Sequence, residues 1–496
     1  MAIASFKDII NNKFNLAPSQ LKVAVISNRN TVLVRDLLDR QLKFSDNGNE
    51  IGSVNYISKS THFFIRAKAL QSEFFLLFCD NETVIPIRPQ VFKSYDLKKD
   101  DIILSKDSNI GEAAILDRDY PNYTISGALY KLPITKRRYY LLAFLKHHYF
   151  KEQLDILVPK GSTIRHAKTR FLDCKIPFPN QKNSDEIIKH VELFTKAVIN
   201  KEKEIRRKNQ LTFELIRKEL LGNQKSVDFQ HIHPSVRELK KQGRIDAGFY
   251  CEKFKRMQFT IKNYKNGYST LDKQGLTFKP GPSLEIRLLG TRIDSKEERA
   301  GFYRLVTPKQ ITNFGTVLSY SYLGTAYKIP TLQKKDIVFG ESGTGRSFVY
   351  LEDHTKTITN AHGHVLRTTE CSLEKVITIR CLLAYLKTIG FIDLMTVGGS
   401  GGHLSPSYFD RVIIPNLPEK KQNEITKLYH NPIGHSKYSN LSNFLKEDNK
   451  WNKRAGIIEL DKSAKELKKL LNNVLDKIIN DEESKLNILW DKNKKG

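Results

Sequence analysis

The stretch with the most chemical content is a glycine-rich segment close to a phosphate-binding loop. It reads Gly340-Glu-Ser-Gly-Thr-Gly-Arg-Ser347 and follows a strand-like segment, Asp336-Ile-Val-Phe339. A loop of the form G-x-x-x-x-G-K-[ST] cradles phosphates with its backbone amides, and its lysine reaches the terminal phosphates. Here Arg346 replaces that lysine, and no strand ending in a Walker-B type aspartate stands out downstream. Nucleotide-dependent chemistry is therefore one hypothesis for this loop.

An internal repeat argues against that hypothesis. Tyr140-Leu-Leu-Ala-Phe-Leu-Lys146 returns as Cys381-Leu-Leu-Ala-Tyr-Leu-Lys387. Four more residues recur, and each is separated from its copy by the same number of residues. They are Phe171, Pro177, Glu186 and Ile187, with the copies Phe409, Pro415, Glu424 and Ile425. A repeat this long has the size of a domain. The copy of the Gly340 loop, residues 105–111, keeps only the last glycine and a polar tip. A role shared by both copies cannot depend on nucleotide binding, so we interpret the loop as a turn.

The histidines do not predict a metal site, and no catalytic motif is apparent. His354, His362 and His364 lie close in sequence, as do His231 and His233. A metal centre would need third and fourth ligands that the sequence does not place. The chain contains no Ser/His/Asp elbow and no Asn- or Asp-Pro-Pro-aromatic motif for adenine methylation. We therefore expect neither catalytic residues nor a bound metal in this chain.

Charge points to a polyanionic partner. The 496 residues carry a formal charge of +28, with lysine and arginine spread along the whole length. Such a surface suits nucleic acid, although biased codon usage is an alternative origin of the lysine excess. No stretch approaches the roughly 18 apolar residues that span a bilayer. The N-terminus has no apolar core of a secretory signal, so we expect a cytoplasmic protein.

Polar, basic and aromatic residues in the loops around the repeated strands are the candidates for contacting double-stranded DNA. Bidentate arginine–guanine and asparagine–adenine pairs give about 1–3 kcal/mol of base discrimination each. The candidates of the first half are Lys106, Ser108, Asn109, Arg137, Arg138, Arg165, His166 and Lys168. Those of the second half are Ser342, Thr344, Arg346, His362, His364 and His403.

Each half ends in a helical segment with heptad spacing. The first is predicted from Ser184, a suitable N-cap, to Gly222, and the second from near Asp461. The apolar positions include Ile187, Val191, Phe194 and Val198 in the first helix, and Leu467, Leu471, Val474 and Ile478 in the second. Such spacing favours a coiled-coil-like seam. Two seams of matched length predict antiparallel pairing, with a helix of about 55 Å that exceeds one and a half turns of B-DNA.

The predicted fold class is α+β. Two mixed α/β domains form a pseudo-twofold repeat and are separated by two long antiparallel coiled-coil helices. The expected boundaries are a first domain at 1–182, a central helix at 183–224, a second domain at 225–418 and a C-terminal helical region at 419–496.

Several motifs in series resemble the DNA specificity (S) subunit of type I restriction-modification systems. In the first half they are Lys98-Lys-Asp-Asp-Ile-Ile-Leu-Ser105, Leu141-Leu-Ala-Phe-Leu145, Gly161-Ser-Thr-Ile164 and Phe171-Leu-Asp-Cys-Lys-Ile-Pro-Phe-Pro179. The second half repeats the series as far as Ile414-Pro-Asn-Leu-Pro-Glu-Lys-Lys-Gln-Asn-Glu-Ile425. Gly243-Arg-Ile-Asp-Ala-Gly-Phe-Tyr250 looks like the opening of the family's second recognition domain. The resemblance covers roughly residues 30 to 480.

The resemblance implies a non-catalytic scaffold with two target recognition domains, each reading half of a split DNA site. The helices would bind two adenine-N6 methyltransferase subunits, which in turn bind the restriction (motor-nuclease) subunits. S-adenosylmethionine, ATP and magnesium would then belong to those partners, with no cofactor in this chain. Two alternatives stay open: a nucleotide-dependent DNA-processing enzyme that uses the Gly340 loop, and a stand-alone DNA-binding regulator.

Overall fold

The computed structural model describes residues 26–158, 167–341, 345–354, 356–396, 409, 411–434 and 441–482. It divides the chain into two compact units. Unit 1 comprises Met1–Glu204, Gly434–Lys453 and Leu460–Gly496, and unit 2 comprises Ile205–Ile433 and Arg454–Glu459. Each unit therefore combines segments that are distant in sequence. The boundaries inferred from sequence at 182 and 418 stay a prediction.

Among its described residues, unit 1 has three small sheets of short strands. One pairs β1 (Thr31–Leu33) antiparallel with β8 (Lys175–Pro177). In the second, β2 (Phe63–Ile65) is antiparallel to β3 (Val84–Pro86) and parallel to β6 (Tyr123–Ile125). In the third, β4 (Ile102–Ser105) is central and antiparallel to both β5 (Ala113–Ile115) and β7 (Leu129–Leu132).

The short helices of unit 1 pack directly on these sheets. They are α1 (Val34–Leu37), α2 (Arg138–Lys146) and α3 (His148–Leu157). In α2 the six residues from Tyr140 to Leu145 are all buried, so this helix is covered on every side. The repeated Leu-Leu-Ala segment is thus a core helix, and its apolar character follows from that position.

Unit 2 repeats these pairings in the same chain order. β9 (Tyr268–Thr270) pairs with β18 (Ile413–Pro415). β12 (Tyr303–Leu305) is antiparallel to β13 (Ser321–Gly324) and parallel to β16 (Thr357–Ile358). β14 (Ile337–Gly340) is antiparallel to β15 (Ser347–Val349) and β17 (Gly363–Arg367). Two edge strands are additional in unit 2, β10 (Thr277–Lys279) on β17 and β11 (Ile293–Ser295) on β13.

Helices of unit 2 include the counterpart of α2. They are α5 (Val236–Gln242), α6 (Ala247–Tyr250), α7 (Glu252–Lys262), α8 (Ile286–Leu289), α9 (Leu373–Thr388) and α10 (Glu419–Tyr429). The Leu-Leu-Ala repeat lies in α9, where Val376 to Leu386 is a continuous buried run. The side-chain hydroxyl of Ser372 caps this helix by accepting a hydrogen bond from the Lys375 amide at 3.2 Å.

The first long helix, α4, runs from Ser184 to Gly222, the bounds predicted from the sequence. Ser184 is its first residue and not the predicted N-cap, because the Asn183 carbonyl accepts the first helical hydrogen bond, from the Ile187 amide at 3.1 Å. Two further helices lie in the last described segment, α11 (Phe444–Arg454) and α12 (Ile457–Asn480). The expected start of α12 near Asp461 was wrong because the buried Ile457 and Leu460 already belong to its first turn. The expectation of matched lengths was also wrong, since α4 has 39 residues and α12 has 24.

Within unit 1 the start of α4 and the body of α12 run antiparallel. Before α4, Asn180 Nδ2 donates to Asp481 Oδ1 at 2.8 Å, just beyond the end of α12. One end of the pairing is therefore near residues 180 and 481, and the other is at Glu202 and Lys468, which form a 2.8 Å ion pair. No helix in the described part of the chain is long and apolar enough to cross a membrane.

Candidate nucleic-acid interface

Four of the candidates in the first half meet at the end of β4. Lys106 follows β4 directly, and its Nζ lies 5.2 Å from the ring centroid of Tyr130 on β7. Ser108 and Asn109 are exposed at the tip of the same loop. The Lys106 carbonyl accepts a hydrogen bond from the Ala167 amide at 2.8 Å, which brings the exposed Lys168 to this loop. The structure thus assembles a polar, cationic surface from two separate segments.

Arg137 and Arg138 lie at the opposite end of β4. Arg138 Nη1 donates to the Asp100 carbonyl at 2.9 Å, before the strand begins. Arg137 is exposed, 5.4 Å from the ring centroid of Phe178. At about 3.3 Å per extended residue, the six steps from Asp100 to Lys106 span about 20 Å. The first-half candidates therefore form two separate groups. Arg165 and His166 lie outside the described residues.

The Gly340 loop joins two antiparallel strands, β14 and β15. A phosphate-binding loop instead leads from a strand into a helix, whose N-terminal amides bind the phosphate. Arg346 Nε donates to Asn313 Oδ1 at 2.9 Å, so its guanidinium packs on a neighbouring loop of unit 2. The hairpin geometry agrees with the interpretation of this loop as a turn and argues against the nucleotide-binding hypothesis. Ser342 and Thr344 lie outside the described residues.

His364 was a candidate for contacting DNA, and this prediction was wrong. It lies on β17 opposite Phe339 and is only 2% exposed. Its ring packs 4.8 Å from that of Phe278, and burial lowers its pKa below the usual value. The buried face of β17 therefore places this side chain in the core. His362, just before the strand, is exposed with Nδ1 3.3 Å from Glu341. His403 lies outside the described residues.

One histidine cluster was not anticipated from sequence. His147, His148 and Asp476 present ligand atoms within 4.8 Å of one another. The His147 Nδ1 accepts the Tyr149 amide at 3.4 Å, which caps α3 and leaves Nε2 as the protonated nitrogen. That nitrogen lies 3.2 Å from Asp476 Oδ1. The two groups are not aligned for a hydrogen bond, so Nε2 is a buried nitrogen without a hydrogen-bond partner among the described residues. Asp476 is so far along the chain that no local motif could have revealed the cluster.

The eight apolar residues assigned to partner-binding helices all lie inside unit 1. They belong to one buried cluster that also contains the core of the first domain, namely Ile187, Val191, Phe194, Val198, Leu467, Leu471, Val474 and Ile478. These side chains hold α4 and α12 together and against the domain. Partner binding by these helices stays a prediction, and it would use their remaining faces.

Two buried polar networks that the sequence did not reveal fix the helices of unit 1. Lys201 Nζ donates to Asp448 Oδ1 at 2.6 Å and to Asn452 Oδ1 at 2.7 Å. It also lies 4.7 Å from the ring centroid of Trp451. Burial lowers the pKa of Lys201, while Asp448 opposes that shift. The first network therefore docks α11 on α4. A second surrounds Glu202, the neighbouring residue on α4.

Comparisons with known proteins agree with the residues that carry the resemblance. Residues 64–212 match the family model described as the type I restriction modification DNA specificity domain. This stretch runs from β2 into α4. No protein of curated function matches the sequence.

Two solved structures are similar over most of the chain. The type I restriction-modification S subunit from M. genitalium has 14% identity and a TM-score of 0.40, covering 93% of this chain and 99% of its own. The HsdS subunit from Thermoanaerobacter tengcongensis has 14% identity and a TM-score of 0.26, covering 85% of this chain and 91% of its own.

Proposed function

We propose that this chain, which carries the type I restriction modification DNA specificity domain at residues 64–212, reads a bipartite DNA site with two recognition domains. The observation that carries the proposal is the recurrence of strand pairings. The β2/β3/β6 and β4/β5/β7 arrangements of unit 1 return as β12/β13/β16 and β14/β15/β17 in unit 2. Two copies of one domain architecture in one chain suit a target made of two half-sites.

The two domains would be related by a pseudo-twofold axis and spaced by the paired helices acting as a coiled-coil ruler. α4 has 39 residues and is therefore about 58 Å long at 1.5 Å per residue. A length of this order supports two half-sites separated by more than one turn of B-DNA, which rises about 34 Å per turn. The formal charge of +28 supports contact with phosphates at both half-sites.

In this proposal the chain itself is non-catalytic. It would hold two adenine-N6 methyltransferase subunits on the outer faces of α4 and α12, and restriction subunits would join through the methyltransferase. S-adenosylmethionine, ATP and magnesium would be bound by those partners. The support for this part is the family resemblance, together with a Gly340 loop whose hairpin geometry differs from that of a nucleotide site.

The test is the pattern of methylated adenines in a genome. The chain would be co-expressed with a candidate adenine-N6 methyltransferase from the same genome, and N6-methyladenine would be mapped by single-molecule sequencing. We expect a motif of two short specified blocks separated by a fixed unspecified spacer. A single contiguous motif would overturn the two-domain reading. A stand-alone regulator would instead bind DNA without any methyltransferase copurifying.

A further inference from the structure

An unusually exposed phenylalanine stands at the candidate interface of unit 1. Phe44 begins a one-turn 3-10 helix, Phe44–Asp46, and 93% of it is accessible to solvent. It is the most exposed of the large apolar residues that the structure describes. Isolated exposed apolar side chains are common on protein surfaces, so exposure alone assigns no role to Phe44.

The turn that presents Phe44 is held in place by its own side chains. Arg40 binds the Asp46 carboxylate through both Nη atoms, at 2.7 and 2.8 Å. The same carboxylate accepts the Lys43 amide at 2.7 Å, and the Asn47 amide donates to the Phe44 carbonyl at 3.1 Å. The backbone on both sides of Phe44 is therefore fixed, which reduces the entropy lost when its ring meets a ligand.

This turn belongs to the same surface as Lys106. Asn47 pairs with Tyr130, the residue whose ring lies under the Lys106 ammonium. The Gly48 amide donates to the Leu129 carbonyl at 2.9 Å. A Cβ at Gly48 would lie 2.0 Å from the Ser126 carbonyl oxygen, so only glycine permits this close approach. The turn is thus pinned to the end of β7, beside the loop that follows β4.

Several cations lie on the segments that make up this surface. Lys43 precedes it, Lys106 stands over the adjoining tyrosine, and Lys168 and Arg170 are exposed on the segment bonded to Lys106. The acids on these segments are Asp39, Asp46, Asp107 and Asp173. Asp46 pairs with Arg40, and Asp173 pairs with Arg35. Lysine is depleted at the cores of protein–protein interfaces, so this surface does not resemble one. Proteins that kink DNA, by contrast, commonly insert an apolar side chain between base steps and bind the phosphates with cations.

We propose that Phe44 inserts between adjacent base pairs of the half-site read by unit 1, while the neighbouring lysines bind the flanking phosphates. This inference rests on the proposed function, because it takes duplex DNA as the ligand. Insertion would unstack one base step and favour sequences whose steps unstack easily, such as pyrimidine–purine steps. Phe44 would then contribute specificity without a hydrogen bond to any base.

The experiment uses the full chain in complex with its methyltransferase and the DNA motif found by methylation mapping. 2-Aminopurine is placed in turn at each position of that half-site, since its fluorescence rises when it is unstacked. We expect wild type to raise emission at one step only, and Phe44→Ala to abolish that rise and weaken binding about tenfold to hundredfold. Phe44→Trp should keep both the rise in emission and the affinity of wild type. Val54→Ala, which alters a residue 80% exposed in another turn of unit 1, is the matched control and should bind as wild type does.

Each result separates this inference from the proposed function. Specific binding by wild type and Phe44→Ala alike would overturn insertion and leave the proposed function intact. Weaker binding by Phe44→Ala with no emission change in wild type would also overturn it, because the ring would then contact the outside of the duplex. Loss of the methyltransferase from the Phe44→Ala complex would overturn it in favour of a protein contact. If wild type binds no bipartite DNA, the proposed function itself fails.

Discussion

The Nζ atom of Lys468 lies 2.8 Å from Oε1 of Glu202 and joins the last long helix of unit 1 to the first. The other oxygen of Glu202 accepts the backbone amides of Phe75 and Leu76, each at 3.0 Å. Glu202 is only 4% exposed. One carboxylate therefore ties the first domain, α4 and α12 together.

Removing the Glu202 carboxylate should destabilise unit 1. Glu202→Ala would leave two buried amides without an acceptor and Lys468 without its counter-charge, and we expect a loss of about 3–5 kcal/mol in the free energy of unfolding. Glu202→Gln retains the shape and one acceptor oxygen, so we expect a smaller loss, about 1.5–3 kcal/mol. Urea denaturation measures both. Glu186→Gln, in the exposed first turn of α4, is the control and should cost under about 1 kcal/mol. Equal losses of unfolding free energy for the variants at positions 186 and 202 would contradict the role of Glu202 in joining the first domain, α4 and α12.

The buried pair Lys201–Asp448 should behave non-additively. Both side chains are fully buried, so removing either one leaves an uncompensated charge. We expect Lys201→Met and Asp448→Ala each to cost about 3–5 kcal/mol, and the double variant to cost less than the sum of the two. A double-mutant cycle in urea gives the coupling energy. Strict additivity would show that the two side chains act independently.

Acid should destabilise unit 1 through its buried histidines. Burial lowers the pKa of His190 to about 4, so the folded protein keeps the ring neutral where the unfolded chain protonates it. The contribution of His190 to stability is therefore fully present above about pH 6.5 and is lost as pH falls towards 4. It amounts to at most about 3.4 kcal/mol, at 1.36 kcal/mol per pKa unit.

His190→Leu tests this contribution. Urea unfolding at several pH values should show a shallower decline for the variant than for wild type between pH 6.5 and 4. At pH 8 the ring is neutral in both states, so the difference measured there reports the packing and burial of the neutral side chain, which includes its contact with Phe194 at a centroid distance of 4.1 Å. Parallel pH profiles would rule out His190 as a source of the acid sensitivity.

The two groups of basic candidates in unit 1 should differ in salt dependence. Lys106 and Lys168 lie together, and each phosphate contact contributes about 0.9 to the slope of log K against log salt. We expect Lys106→Ala and Lys168→Ala each to lower that slope by about 0.9. Arg138→Ala should leave it unchanged, because this guanidinium donates to the Asp100 and Thr135 carbonyls. Fluorescence anisotropy between 50 and 200 mM salt measures the slopes. A lower slope for Arg138→Ala would instead indicate that the DNA phosphates bind at the other end of β4.

Much of this fold could be predicted because its signals are local. The hydrogen bonds of a helix connect residues four apart, so heptad spacing and the polar residues before it were enough to predict α4 from Ser184 to Gly222, although the N-cap is Asn183 and not Ser184. The repeat likewise led to the interpretation of the Gly340 loop as a turn, because the corresponding loop in the first half connects the equivalent strands without the nucleotide-binding residues. The start of α12 was misplaced because apolar spacing alone does not show where the first turn begins.

By itself the sequence determined the duplication, the long central helix, the positive charge and the family resemblance, which all reside in composition or short-range order. Only the tertiary structure decided which side chains face the solvent and which face each other. It buried His364, separated Arg138 from Lys106, and joined Glu202 to Lys468 across 266 residues. The reason is physical: burial and pairing depend on how distant segments pack, and no local pattern records which segments those are.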